Sequence, residues 1–148
     1  VFTFEPLAIM QAEIVKRNLP NVIPVKAAVV KGNRDYATVY YNVLGLAASS
    51  LYNCGGGPGE NVPAVNFQTI LDKLERIDFL KIDCEGAEQE FLPGSDLRKV
   101  RKMGVEWHFE RPHQDAILRS FLKEISPAFE YQITFTHPDR ETFVAWRR

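Results

Sequence analysis

Apolar and polar positions along the chain change period repeatedly, and the changes predict strands and helices in alternation. Residues 1–4 form a short apolar run that ends on Glu5, the pattern of a strand. Pro6 then opens a helix at the position where a missing N–H costs least. Leu7, Met10, Ile14 and Val15 give that helix one apolar face, and it ends near Asn18 with Pro20 beyond. Residues 22–30 read as the next strand, regular only after Pro24, and Lys31-Gly32-Asn33 turns the chain back. Residues 36–43 are rich in β-branched and aromatic side chains and predict a strand added antiparallel to the others. Residues 44–63 are small and glycine-rich around Gly55-Gly56-Gly57-Pro58-Gly59; they predict a long loop, either ordered as a lid or binding loop or disordered.

Residues 65–67 suggest a further short strand, and Ile70, Leu71 and Leu74 a short helix. The run 77–82 is mostly apolar and bounded by charge, as expected of a central strand covered on both faces of a parallel sheet. It runs into Asp83 and Glu85 and turns at Gly86. Glu88 and Glu90 then fall in the first turn of a helix, where the macrodipole favours negative charge, and Pro93-Gly94 stops it after Leu92. Ser95 or Asp96 caps a predicted helix ending on Arg98, Lys99, Arg101 and Lys102. Gly104 releases a strand in which Glu106, His108 and Glu110 share one face and Val105, Trp107 and Phe109 the other. Leu118, Phe121, Leu122 and Ile125 follow helical spacing, Pro127 stops that helix, and two final strands around His137-Pro138-Asp139 form an antiparallel hairpin.

Alternating strands and helices predict an α/β fold with a doubly wound, mainly parallel Rossmann-like sheet and an antiparallel C-terminal hairpin. At 148 residues and 45% hydrophobic, the chain is expected to be one domain able to bury a core without staples. Its net charge of -1 gives no electrostatic footprint for nucleic acid or an anionic membrane. With no apolar run near the ~18 residues of a membrane span, a soluble, cytoplasmic protein is expected. Cys54 and Cys84 match neither a zinc spacing nor a disulfide framework.

In open α/β sheets ligands sit beyond the carboxyl ends of the strands, and three predicted strands end in acids: Glu5, the Asp83/Glu85 pair, and the Glu106/His108/Glu110 face. Each has a plainer reading as well. Glu5 alone is a solvated strand end, Asp83 and Glu85 are also of the type that caps a following helix, and His108 alone is an ordinary half-buried histidine.

Thr3-Phe4-Glu5-Pro6, the octet Lys81-Ile82-Asp83-Cys84-Glu85-Gly86-Ala87-Glu88, Gly94, and Val105-Glu106-Trp107-His108 together resemble the FkbM family of S-adenosylmethionine-dependent methyltransferases. The resemblance covers nearly the whole chain. It implies O-methylation of a hydroxyl on a sugar, polyketide or related small metabolite, with Glu5 on the cofactor ribose and an adenine pocket near Ala27 and Ala28. It also implies acceptor chemistry around Asp83 and Glu85. Asp83 or Glu85 is the candidate base for the hydroxyl proton, with His108 second. A magnesium ion held by Asp83, Glu85 and Glu106 or Glu110 is the alternative means of acidifying the hydroxyl. Against the family's pattern, the first strand and its glycine-rich turn are missing, so the chain is expected to be a partial domain. A carboxylate-lined metal hydrolase and a non-catalytic binding module derived from a methyltransferase are the competing functional classes.

Overall fold

Among the described residues, strands of three to nine residues divide among three sheets. The computed structural model describes residues 1–42, 45–51, 57–109 and 114–148, and these fall into two compact units, Val1–Phe67 and Gln68–Arg148.

In the first unit, β1 (Phe2–Phe4) pairs in parallel with β2 (Ile23–Val25), with α1 (Ala8–Lys16) between them in sequence. The other sheet of this unit runs β3-β6-β4-β5. Here β3 (Ala28–Val30) lies parallel to β6 (Gly59–Asn66), while β4 (Tyr36–Asn42) is antiparallel to both β6 and β5 (Gly45–Ser50). Leu7, Ala28, Val30, Ala37, Val39 and Val62 form its buried core.

Several local expectations fail here for identifiable reasons. The helix begins at Ala8 rather than at Pro6, because Leu7 is in extended conformation and is itself buried in the core. Met10 packs on that core, whereas Val15 is exposed, so the apolar face of α1 is only partly used. The single strand expected over 22–30 breaks at Lys26 and Ala27. The Ala27 N–H bonds back to the Val25 carbonyl at 3.1 Å, a tight turn that sends β2 and β3 to different sheets. Much of the expected loop 44–63 is strand: β5 and the start of β6 lie within it. Gly59 is a requirement of that pairing, since a Cβ there would sit 2.7 Å from Thr38 Cγ2 on β4. Gly55, Gly56 and Cys54 lie outside the described residues.

α2 (Phe67–Lys73) starts on the last residue of the first unit, and the second unit continues from it through β7 (Leu80–Asp83), α3 (Glu88–Phe91), β8 (Lys102–His108), α4 (Gln114–Ile125), β9 (Phe129–His137) and β10 (Arg140–Arg147). Its sheet order is β7-β8-β10-β9, with β7 and β8 parallel and the other two pairings antiparallel. Alternation along β8 and β10 puts Met103, Val105, Trp107, Phe143 and Ala145 on a buried face. The stripe Leu118, Phe121, Leu122 and Ile125 of α4 is buried with them, and the Phe121 ring stacks on Trp107 with centroids 5.6 Å apart. Glu106 and Arg140 lie on the opposite, more open alternation.

The expected mainly parallel, doubly wound Rossmann-like sheet is therefore not the architecture. Three of the seven strand pairings among the described residues are parallel and four antiparallel, divided over three sheets. The expected central strand 77–82 is an edge strand of four residues, preceded by a lone bridge from Ile77 to Val100. In β7 only Ile82 is buried, and Lys81 and Asp83 are exposed, so the strand is not covered on both faces. Residues 95–102 form no helix: Asp96 accepts the Arg98 N–H at 3.0 Å and pairs with its guanidinium, and this local turn displaces the cap expected there. β8 starts at Lys102, two residues before Gly104. The antiparallel hairpin β9–β10 is present as expected.

The Phe121 stack is the centre of the second unit's core. Phe121→Ala should cost about 3–5 kcal/mol by urea denaturation, and a loss below about 1 kcal/mol would show that α4 is not packed as described.

Candidate active site

The candidate site lies where β7 and β8 end together. Their parallel register sets Asp83 beside Glu106, and β8 continues to His108 after β7 has stopped. Beyond Asp83 the chain turns through Glu85 and Gly86, both at positive φ, 47° and 98°. Glycine takes that conformation freely, whereas for a glutamate it is sparsely populated and costs about 1–3 kcal/mol. The turn delivers Glu88 into the protein interior at the start of α3.

Glu88 has no exposed surface. One carboxylate oxygen, Oε2, accepts the Gly86 N–H at 3.0 Å. The other, Oε1, accepts the His108 backbone N–H at 2.6 Å and lies 3.3 Å from His108 Nδ1. The neighbouring Gln89 donates from Nε2 to the His108 carbonyl at 2.5 Å. Glu88 and Gln89 thus satisfy with side chains the two backbone groups of His108 that a longer β7 would have paired. A buried carboxylate is tolerated only with such partners.

His108 is itself buried, and its Nε2 faces two further acids, Glu85 Oε2 at 3.4 Å and Glu106 Oε1 at 3.6 Å. Glu106 is also held by Arg140 Nε at 2.7 Å, and Asp83 by Lys81 Nζ at 2.9 Å. Burial alone would lower the His108 pKa, but the hydrogen bond to Glu88 and the negative charge of Glu88, Glu85 and Glu106 outweigh it and raise the value above 6.5. Burial is the main influence raising the Glu85 carboxyl above 4.5; the facing His108 opposes it, and Asp83, Glu106 and Glu88 reinforce it. Burial, with the Glu88 charge next, pushes the Cys84 thiol up to about 12, which leaves it inert as a nucleophile.

Of the residues singled out in the sequence, Asp83, Glu85 and His108 come together, with ligand atoms all within 4.8 Å of one another. Glu106 joins them through His108, and Glu110 lies outside the described residues. Magnesium is not supported by this donor set: an imidazole sits among the oxygens, and Arg140 occupies Glu106, whereas magnesium prefers oxygen ligands alone. Glu5, Ala27 and Ala28 belong to the first unit. Glu5 follows β1 and accepts the Leu7 N–H on Oε1 at 2.9 Å, and burial raises its pKa against that hydrogen bond. Ala27 and Ala28 are buried where the chain enters β3. Sequence reading missed the roles of Glu88, Gln89 and Arg140. An acid in the first turn of a helix reads the same whether it faces water or backbone amides, and Arg140 meets Glu106, 34 positions earlier in the chain, only through the pairing of β10 with β8.

Against known proteins, the family model of the methyltransferase FkbM domain matches residues 1–133. The chain belongs to the FkbM methyltransferase family. The resemblance carried by the octet 81–88 is thus confirmed, and the chain is a methyltransferase domain in the general sense of that family. No curated protein and no solved structure matches it. No helix among the described residues is long and apolar enough to cross a membrane.

In this FkbM domain both His108 and Glu85 hold a proton more tightly when folded than when unfolded. The stabilisation from His108 is complete below about pH 6.5 and is lost as pH rises through its higher folded value. Glu85 acts in the same direction from about pH 4.5 upward. In metal-free buffer the His108 ring should therefore titrate by NMR above 6.5, and Glu88→Gln should lower that value and flatten the decline of stability across the same window. A wild-type ring titrating below 6.5, or one unmoved by Glu88→Gln, would contradict the charge arrangement.

Proposed function

We propose that this FkbM methyltransferase moves a methyl group from S-adenosylmethionine to a hydroxyl oxygen of a small molecule, a sugar, polyketide or related metabolite. The observation that carries the reading is the convergence of Asp83, Glu85 and His108 beyond the paired ends of β7 and β8. A hydroxyl is a poor nucleophile until its proton leaves, and methyl transfer needs acceptor oxygen, methyl carbon and sulfur in line with water excluded. Carboxylates at a strand terminus meet the first requirement. Glu85 presents a partly exposed carboxylate, 31% accessible, beside the nearly enclosed His108 ring. Asp83 is the second carboxylate within reach, its charge partly balanced by Lys81.

In this reading Asp83 and Glu85 deal with the acceptor proton, and His108, clamped at Nδ1 by Glu88, orients Glu85. Glu5, Ala27 and Ala28 serve the cofactor. Glu5 gives Oε1 to the Leu7 N–H, and its Oε2 has no partner among the described residues, which suits it to a ribose hydroxyl. The small buried side chains of Ala27 and Ala28 suit an adenine edge approaching backbone.

Kinetics of single variants separate these roles. Asp83→Asn and Glu85→Gln should each lower kcat by about 10²–10⁴-fold with little change in cofactor affinity. Glu5→Gln should raise the cofactor KM several-fold and spare kcat, because a ribose contact exists in ground and transition states alike. If Asp83→Asn and Glu85→Gln both turn over within a few-fold of wild type while folded, the proton-handling assignment is wrong.

A further inference from the structure

We infer that Asp83, Glu85 and His108 form a binding site for a first-row divalent transition metal of the zinc(II) or manganese(II) class. Three potential ligand atoms, two carboxylate oxygens and one imidazole nitrogen, all lie within 4.8 Å of one another. His108 Nε2 and Glu85 Oε2 are 3.4 Å apart, about the separation of two ligands on a common tetrahedral ion with bonds of ~2.1 Å.

The second observation lies outside that cluster. His108 is only 8% exposed, and its Nδ1 is held by Glu88, a carboxylate with no exposed surface that is fixed by the Gly86 and His108 backbone N–H groups. This turns Nε2 towards the acids, 3.4 Å from Glu85 Oε2 and 3.6 Å from Glu106 Oε1. A carboxylate on one ring nitrogen that presents the other to a group of acids is the outer-shell arrangement of metal-bound histidine, fixing tautomer and ring orientation. Neighbouring cations narrow the ligand set. Arg140 takes up Glu106, and Lys81 engages Oδ2 of Asp83 but not its second oxygen. The mixed nitrogen and oxygen donors favour zinc(II) or manganese(II) over magnesium or calcium.

Three protein ligands leave coordination positions open to an acceptor oxygen. Use of the ion there rests on the proposed methyl transfer, but its binding does not. In that use the ion acidifies the hydroxyl, whose O–H bond breaks as its proton passes to the Asp83 carboxylate. The oxygen–methyl bond forms as the sulfur–methyl bond breaks, and the electron pair stays on sulfur.

The test uses the chain stripped of metal by chelator, titrated with manganese(II) alone, without cofactor or acceptor, and read by electron paramagnetic resonance. One saturable equivalent is expected, with pulsed spectra showing coupling to a single imidazole nitrogen, and zinc(II) should displace it. Asp83→Asn and Glu85→Gln, checked for folding by circular dichroism, should each weaken binding at least tenfold. Absence of saturable binding, absence of nitrogen coupling, or unchanged affinity in both folded variants would overturn the site. Methyl transfer by metal-free protein would then leave the proposed function standing, whereas metal binding without methyl transfer would remove that function and keep the site.

Discussion

A carboxylate with no contact with water governs the architecture of the candidate site. Removing Glu88 from solvent carries a penalty of several kcal/mol unless its oxygens are matched by donors, and they are matched by Gly86 N–H, His108 N–H and the His108 ring. Those three donors come from two segments, the turn after β7 and the last residue of β8. The charge can be satisfied only when the turn is closed and β8 has reached its full length. The demand of one buried group thereby fixes the spacing between Glu85 on the turn and His108 on the strand.

This arrangement also explains how a short edge strand can support a site. With β7 ending at Asp83, the backbone of His108 would face the interior without partners; Glu88 and Gln89 supply them and extend the edge by side chains. The opposite alternation of β8 is apolar and buried at Met103, Val105 and Trp107, with Trp107 stacked on Phe121 of α4. One strand therefore has a packed face that holds it still and a charged face that carries the chemistry. The acids there are not left to repel one another, because Lys81, Arg140 and His108 are interleaved with Asp83, Glu106 and Glu85.

The sequence displayed these parts unevenly. The octet 81–88 and the alternation of 105–108 were legible because both signals are local, a strand end loaded with acids and a period of two. The stripe of α4 and the hairpin β9–β10 were legible for the same reason. The global sheet was not. Residues 22–30 look like one strand, since a backbone turn at Ala27 leaves no mark stronger than a lysine in an apolar run. Residues 44–63 look like loop, since glycine and small residues hide a pairing whose close approach at Thr38 and Gly59 needs them. The site's donors followed the same divide: Asp83, Glu85 and His108 stood out, while Glu88 looked like an acid placed by the helix dipole alone.

Amide hydrogen exchange at Gly86 and His108 reads the Glu88 clasp itself. If the Glu88 carboxylate holds the turn to the end of β8, the Gly86 and His108 amides should be protected to a degree comparable with Val105 in the middle of the strand. Exchange of both amides at the rate of exposed loop residues, with Val105 still protected, would show that no such clasp exists and that Glu85 and His108 are not held together.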